Sequence, residues 1–153
     1  MKFVEVVKEA FVLVGFSAAG RWDGKPVYPI PNLWAKAYEF IVDRNVDKII
    51  GICLPPRSDH YFYTCGLEID GVRYDKIEEG MNLHTFPKQK YVVFTHVGPA
   101  NHIPNTYGEL WTIFDKHEYQ LKEGMPEIEI VKKDMFGKEE EDYYEMEIWL
   151  PIE

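Results

Sequence analysis

The stretches IPNLWAKAY, at residues 30–38, and IPNTYGELW, at residues 103–111, are two versions of one pattern, set 73 residues apart in a chain of 153. In each, Ile-Pro-Asn precedes apolar and aromatic residues at helical spacing, which predicts an amphipathic helix. The repeats of solenoid proteins are about 20 to 50 residues long, so this longer period indicates one domain built from two related halves. The seam between two such halves, lined with aromatic side chains, is a natural place for a ligand.

Segments rich in β-branched and aromatic residues flank both predicted helices. Those that follow the helices are Lys48–Leu54, His60–Ile69, Glu127–Lys132 and Tyr143–Ile152. Each half is therefore predicted as strand, helix, strand, strand. Two such units side by side predict an α+β, two-layer fold with pseudo-two-fold symmetry. We expect a curved antiparallel sheet with both helices on one face and a ligand cleft on the other.

The whole chain, residues 1–153, is expected to be a single domain, with half-repeats of about 1–80 and 81–153. Hydrophobic residues make up 46% of the chain. Aromatic residues make up 15%, which is more than core packing usually requires and favours a binding site for a flat apolar ligand. The net charge is −9, and Lys and Arg form no stripe. Direct binding of nucleic acid is therefore not expected, and cationic ligands suit the field better.

Cysteine usage and the amino terminus bear on localisation. The chain has 2 cysteines, Cys53 and Cys65, and no CxxC motif, which fits a reducing compartment. Met1–Glu5 carries charges and lacks the apolar core of a signal peptide. No apolar run approaches the roughly 18 residues that span a bilayer. The sequence thus predicts a cytoplasmic protein without membrane contact, in which Cys65 is structural.

The last predicted strand has an unusual face. Alternation places Tyr143, Glu145, Glu147 and Trp149 on one side and apolar residues on the other. This face is either a solvated strand face with aromatics at its edge or the wall of a ligand site. A carboxylate partly buried among aromatic rings and left unpaired has a raised pKa, and binding a cation relieves that cost.

The corresponding strand of the first half supports the second reading. It places Tyr61, Tyr63 and Cys65 on one face.

The five histidines show neither HxH nor HExxH spacing, and no phosphate-binding glycine loop occurs. Neither a metal nor a cofactor is therefore predicted.

Several motifs, taken together and in order, are similar to those of the GyrI-like family. They are Tyr63–Glu68 (YTCGLE), Glu79–Met81 (EGM), Tyr91–Pro99 (YVVFTHVGP) and Glu147–Ile152 (EIWLPI). The helix start Asn32–Trp34 resembles the stand-alone, integron-associated branch. The family comprises effector-binding domains that are fused to AraC- and MerR-type DNA-binding domains or stand alone. The resemblance implies a pseudo-two-fold fold and a cleft for lipophilic, often cationic, aromatic compounds.

The resemblance also implies a central binding glutamate in the last strand. That position is Glu147, with Glu145 as its neighbour on the same face. The other residues expected to bind the ligand, matched by secondary-structure element, are Trp34, Tyr38, Tyr61, Tyr63, Tyr107, Trp111 and Trp149.

The preferred hypothesis is a stand-alone protein that binds lipophilic, cationic aromatic small molecules, a multidrug-type effector domain related to transcription regulation. No helix-turn-helix precedes the first predicted strand, so any DNA-binding regulator is expected to be a separate partner. The first alternative is a hydrolase that detoxifies an electrophilic aromatic compound, with Glu147 as base and Tyr63 or Tyr107 as donor. The second is an inhibitor module that contacts gyrase or a regulator through its acidic surface.

Overall fold

The computed structural model describes residues 1–23, 29–42, 44–54, 59–69 and 79–153. The strands and α-helices in these residues are β1 (Phe3–Lys8), β2 (Phe11–Arg21), α1 (Ile30–Ile41), β3 (Lys48–Leu54), β4 (His60–Ile69), β5 (Met81–Phe86), β6 (Gln89–Val97), α2 (Ile103–Lys116), β7 (Glu127–Lys132) and β8 (Glu145–Pro151). None of the helices described is long and apolar enough to cross a membrane.

The strands of the described residues form one open sheet in the order β1-β6-β8-β7-β3-β4-β2-β5. Every neighbouring pair is antiparallel. The order is symmetric about the β7–β3 pair, because β6-α2-β7-β8 repeats the arrangement of β2-α1-β3-β4. The strand that precedes each unit is exchanged, so that β1 pairs with β6 and β5 with β2. The predicted α+β fold with an antiparallel sheet is confirmed, and the two units meet between β3 and β7.

Each helix buries one stripe of apolar side chains on the sheet. In α1 the stripe is Leu33, Ala37 and Ile41, at the four-residue spacing of one helical face. In α2 it is Leu110 and Phe114. Prolines in the first turn of both helices suit positions whose N–H has no partner in the helix.

Both helices cover the same face of the sheet. Cys65 of β4 packs in the core cluster under α1, and Ile148 of β8 packs in the cluster under α2. The register aligns Cys65 with Gly51, Gly51 with Glu129, and Glu129 with Ile148. Since partners in a register share a face, the helical face runs continuously across the seam. At its centre lies Glu129.

The opposite face is filled at its centre. Leu13, Ile50 and Ile128 are fully buried there in a third apolar cluster. The sheet curls around this cluster, because only Glu9 and Ala10 join β1, at one edge, to β2, near the other. The sequence predicted an open ligand cleft on this face, whereas the structure has a buried apolar cluster at its centre. The alternation of side chains separates the two faces of a strand, but it does not indicate which face the curled sheet encloses.

A groove of about 540 Å³ remains toward one end of the opposite face. It is lined in part by Thr95, Ile130, Lys132, Glu145 and Glu147. Its polar surface therefore carries charges of both signs.

Candidate functional site

A chain of hydrogen bonds links α1 to the seam of the sheet. The Tyr63 hydroxyl donates to Oε1 of Glu129 at 2.8 Å. The Trp34 indole Nε1 in turn donates to the Tyr63 oxygen at 2.9 Å. The carboxylate of β7, the phenol of β4 and the indole of α1 are thereby held in one network.

The second helix reaches the same carboxylate. Tyr107 of α2 approaches Glu129 closely enough for its hydroxyl to lower the pKa of that carboxyl group. Trp34 packs against the core clusters under both helices. Glu129 therefore lies between α1 and α2, with one aromatic contact from each side of the pseudo-two-fold arrangement.

Glu129 is crowded by protein yet still partly exposed. Burial raises its pKa above the ordinary value, and the nearby hydroxyls of Tyr63 and Tyr107 act in the opposite direction. Burial also raises the pKa of both tyrosine hydroxyls, so they remain donors at neutral pH. A carboxyl group that is surrounded by side chains and still touches solvent is typical of the bottom of a narrow cleft.

A second carboxylate lies beside the first. Glu127 is two positions before Glu129 on β7, so it points to the same face, and it too is partly exposed. Burial, followed by repulsion from Glu129, raises the pKa of Glu127 to about 7. Opposite it on β3 is Cys53, whose thiol pKa rises to about 12 through burial and the two glutamates. That thiol stays protonated and is a poor nucleophile.

Other carboxylates on the sheet are paired with lysines, whereas these two are not. Glu68 is paired with Lys8 at 3.1 Å and with Lys48 at 3.3 Å. Glu147 is paired with Lys132 at 2.8 Å. Within the part of the chain that the structure describes, no Lys, Arg or His forms an ion pair with Glu127 or Glu129. This part of the helical face therefore holds negative charge that no described lysine, arginine or histidine balances.

Partly exposed aromatic side chains lie on the same face of the sheet as this charge. Trp34 and Tyr38 project from one helix with ring centroids 6.3 Å apart, and Tyr107 and Trp111 come from the other. Tyr38 also meets the Phe136 ring at 5.4 Å. Tyr61 and Tyr63 lie below α1 and are almost completely buried. The helical face thus gathers six of the predicted ligand-binding aromatics.

The remaining predicted residues lie on the opposite face. Glu145, Glu147 and Trp149 alternate with buried Met146 and Ile148, which face α2. The Trp149 indole Nε1 donates to Oε2 of Glu147 at 2.9 Å, in addition to the Lys132 pair. The structure therefore does not bring Glu145 and Glu147 together with Tyr63 and Tyr107.

The sequence pattern did not predict Glu127 and Glu129 as ligand-binding residues, because they form the polar side of a strand with alternating polar and apolar residues. One signal was available in the half-repeat. If the two halves are arranged symmetrically, β7 pairs with its counterpart β3 at the middle of the sheet. Central strands rarely carry two unpaired glutamates. No group of three or more His, Cys, Asp or Glu within the described ranges could hold a metal ion.

Fold and cleft together define an α+β small-molecule-binding domain. The family model described as "GyrI-like small molecule binding domain" matches residues 1–153. The chain belongs to the GyrI-like family.

Among characterised proteins, the chain is similar to the transcriptional regulator BrlR of Pseudomonas aeruginosa, with 28% identity over 111 residues. The match covers 70% of the chain and 39% of BrlR, so the chain corresponds to well under half of that regulator.

Two solved structures share the fold. SAV2435, in a complex with tetraphenylphosphonium, superimposes with a TM-score of 0.79 at 18% identity, covering 100% of this chain and 94% of its own. An integron cassette protein from Vibrio cholerae gives a TM-score of 0.71 at 18% identity, covering 99% and 95%. The predicted GyrI-like family is confirmed by the family match, and these two structures share its fold.

Proposed function

We propose that this domain binds lipophilic aromatic cations in the cleft between α1 and α2, with Glu129 as the counter-ion. The observation that carries this proposal is a carboxylate that accepts a hydrogen bond from Tyr63, lies beside Tyr107 and, among the residues described, has no cation paired with it. In this proposal the central carboxylate is Glu129, in place of the Glu147 expected from the sequence.

Electrostatics favour a positive ligand. At an effective dielectric constant near 20, two opposite charges about 4 Å apart attract by about 4 kcal/mol before desolvation. A cation at Glu129 also relieves the cost of burial that raises the pKa of that carboxyl group. The net charge of −9 adds a long-range attraction for cations.

Aromatic contacts favour a flat or multi-ring ligand. Trp34 and Tyr38 of α1 and Tyr107 and Trp111 of α2 are partly exposed on the helical side of the sheet. A cation over an aromatic face gains roughly 0.5–2 kcal/mol, so several such contacts and one charge pair support micromolar affinity. The relative SAV2435 was solved with tetraphenylphosphonium, a cation of this class. That precedent supports the same class of ligand here.

Titration with tetraphenylphosphonium by isothermal calorimetry tests the proposal. We expect a micromolar Kd for the natural sequence and at least tenfold weaker binding for Glu129→Gln. Glu9→Gln, which removes one exposed charge from the β1–β2 connection, is the matched control and should retain the affinity. Triphenylphosphine oxide, a neutral compound of similar shape, should bind far more weakly. Equal affinity for the neutral compound, or unchanged affinity in Glu129→Gln, would overturn the proposal.

The Tyr63–Glu129–Tyr107 arrangement also favours a second candidate, hydrolysis of an electrophilic aromatic compound. A glutamate with a raised pKa beside two phenolic donors has the composition of a general base with assisting acids. Incubation with p-nitrophenyl acetate, followed spectrophotometrically, tests this candidate. Turnover that disappears in Glu129→Gln would support it, and absence of turnover would leave the binding function alone. In either case we propose a cytoplasmic role as a sequestering protein or as the sensor of a separate regulator.

A further inference from the structure

We propose that Phe136 closes one end of the cleft between α1 and α2, so that this side chain limits the ligands beside Glu129 to compact cations. The inference rests on the proposed function and names a specificity-determining residue for it. Phe136 belongs to the segment that joins β7 to β8, residues 133–144, which we call the strap.

The strap crosses the seam between the two halves of the domain. The Lys133 backbone N–H donates to the carbonyl of Asp47, which lies between α1 and β3, at 2.8 Å. Further along the strap, the Glu139 carbonyl accepts from the N–H of Ala100, which lies between β6 and α2, at 2.7 Å. The strap therefore runs from the carboxyl end of the first helix to the amino end of the second.

The Phe136 ring contacts both halves. It packs against the core clusters under α1 and under α2. It also meets the Tyr38 ring edge-on, with centroids 5.4 Å apart and planes at 83°. Trp34 makes the same double contact beside the Tyr63–Glu129 hydrogen bond. Both Trp34 and Phe136 therefore bridge the halves, the first beside the carboxylate and the second at the strap.

The strand below the helices becomes inaccessible toward the strap. Glu129 and Val131 are alternate residues of β7, so both face the helices about 6.6 Å apart. Glu129 is partly exposed, whereas Val131 is only 1% exposed. Burial, followed by the charges of Glu139 and Glu129, raises the pKa of the Tyr144 hydroxyl, which places that residue between the strap and the carboxylate. A ligand held at Glu129 therefore meets protein in this direction.

The strap is folded on itself, which fixes the position of the ring. The Phe136 N–H donates to the Lys133 carbonyl at 3.2 Å, and Gly137, with φ of 75°, turns the chain immediately afterwards. The corresponding connection in the first half, residues 55–59, has 5 residues, whereas the strap has 12. The pseudo-two-fold symmetry therefore does not account for the strap, which is an addition to the second half.

Two phosphonium cations of equal charge test this inference by calorimetry. They are tetraphenylphosphonium and (biphenyl-4-yl)triphenylphosphonium, which carries one more phenyl ring on one arm. The natural sequence should bind them within about threefold of each other, because the extra ring stays in solvent. Phe136→Ala vacates the volume of one ring at the end of the cleft. This variant should bind the longer cation at least tenfold more tightly than the shorter one, because the extra ring is buried there.

Two further variants serve as controls. Phe40→Ala removes the same ring from the other flank of α1, where it contacts Phe16 at 6.1 Å, and should keep the ratio of affinities within threefold. Phe136→Leu shortens the side chain and retains much of its apolar packing, so it serves if the alanine variant does not fold. We expect at least a threefold preference for the longer cation in Phe136→Leu. Urea unfolding establishes that each variant is folded.

The outcomes distinguish this inference from the proposed function. If the natural sequence binds both cations and their ratio stays below threefold in the folded Phe136 variants, Phe136 does not limit the ligand and the proposed function stands. An equal preference for the longer cation in Phe40→Ala would also overturn the inference, because general loosening would then explain it. If the natural sequence binds neither cation, both the proposed function and this inference are wrong.

Discussion

Tyr63 lies across Gly51, with its hydroxyl in the space that a Cβ atom at residue 51 would occupy. The same Cβ would be 3.0 Å from Cζ2 of Trp34. Gly51 is also the register partner of Glu129. The absence of a side chain on β3 therefore allows the phenol of β4 to cross one strand and donate to the carboxylate of the next.

Gly51→Ala should displace Tyr63 and break its hydrogen bond with Glu129. We expect a loss of about 1–3 kcal/mol in the free energy of unfolding, as for other overpacked cores. Affinity for tetraphenylphosphonium should fall at least tenfold. Urea unfolding and calorimetry measure the two effects.

Gly108→Ala is the matched control, because a Cβ there meets no atom within 4 Å. Alanine in the middle of α2 should stabilise the protein by about 0.5–1 kcal/mol and leave ligand affinity unchanged. If Gly51→Ala and Gly108→Ala destabilise the protein equally, the explanation that Tyr63 requires the space over Gly51 is wrong.

The relation between Glu147 and Glu129 shows how far the sequence could predict this molecule. The repeat at residues 30–38 and 103–111 predicted both helices and the strand-helix-strand-strand order, because helical spacing and chain order are local properties. Alternation in β7 and β8 also separated the two faces of each strand correctly. Which face lies below the helices depends on the curl of the whole sheet and on pairing between the halves. Those are long-range properties, so the cleft carboxylate could not be selected from spacing alone.

Glu127→Gln should change how stability depends on pH. The folded protein raises the pKa of Glu127 from 4.5 to about 7, so it holds this proton more tightly than the unfolded chain does. Stability from this group is therefore present below about pH 4.5 and is lost as the pH rises through 7. The variant lacks that loss. Its free energy of unfolding should therefore exceed that of the natural sequence by about 1–3 kcal/mol at pH 8, with little difference at pH 4.

Urea unfolding at pH 4, 6 and 8 measures this effect. Glu129, Tyr107 and Cys53 are the other titratable groups around Glu127, and all are retained in the variant. Glu9→Gln controls for the change in net charge. Parallel stability curves for Glu127→Gln and the natural sequence would contradict the prediction.

Tyr107→Phe should shift the pH range over which cations bind. The Tyr107 hydroxyl stabilises the ionised form of Glu129 and so lowers the pKa of that carboxyl group. Loss of the hydroxyl should therefore raise the pKa of Glu129 and move the midpoint of cation binding to higher pH. Tetraphenylphosphonium titrations between pH 5 and 9 measure the midpoint.

Tyr143→Phe removes a hydroxyl from an exposed side chain and is the control for that experiment. Its midpoint should match that of the natural sequence. An unshifted midpoint in Tyr107→Phe would remove this tyrosine from the network around Glu129.

Glu147→Gln distinguishes the two faces of the sheet as ligand sites. The substitution weakens the contact with Lys132, whose side chain is 63% exposed, so the expected loss of stability is at most about 1 kcal/mol. The glutamine oxygen can still accept from the Trp149 indole, which limits the disturbance of β8. Because Glu147 lies on the opposite face from Tyr63 and Tyr107, affinity for tetraphenylphosphonium should change less than twofold, while Glu129→Gln weakens it tenfold. A tenfold loss in Glu147→Gln with no loss in Glu129→Gln would move the site to the groove on the opposite face.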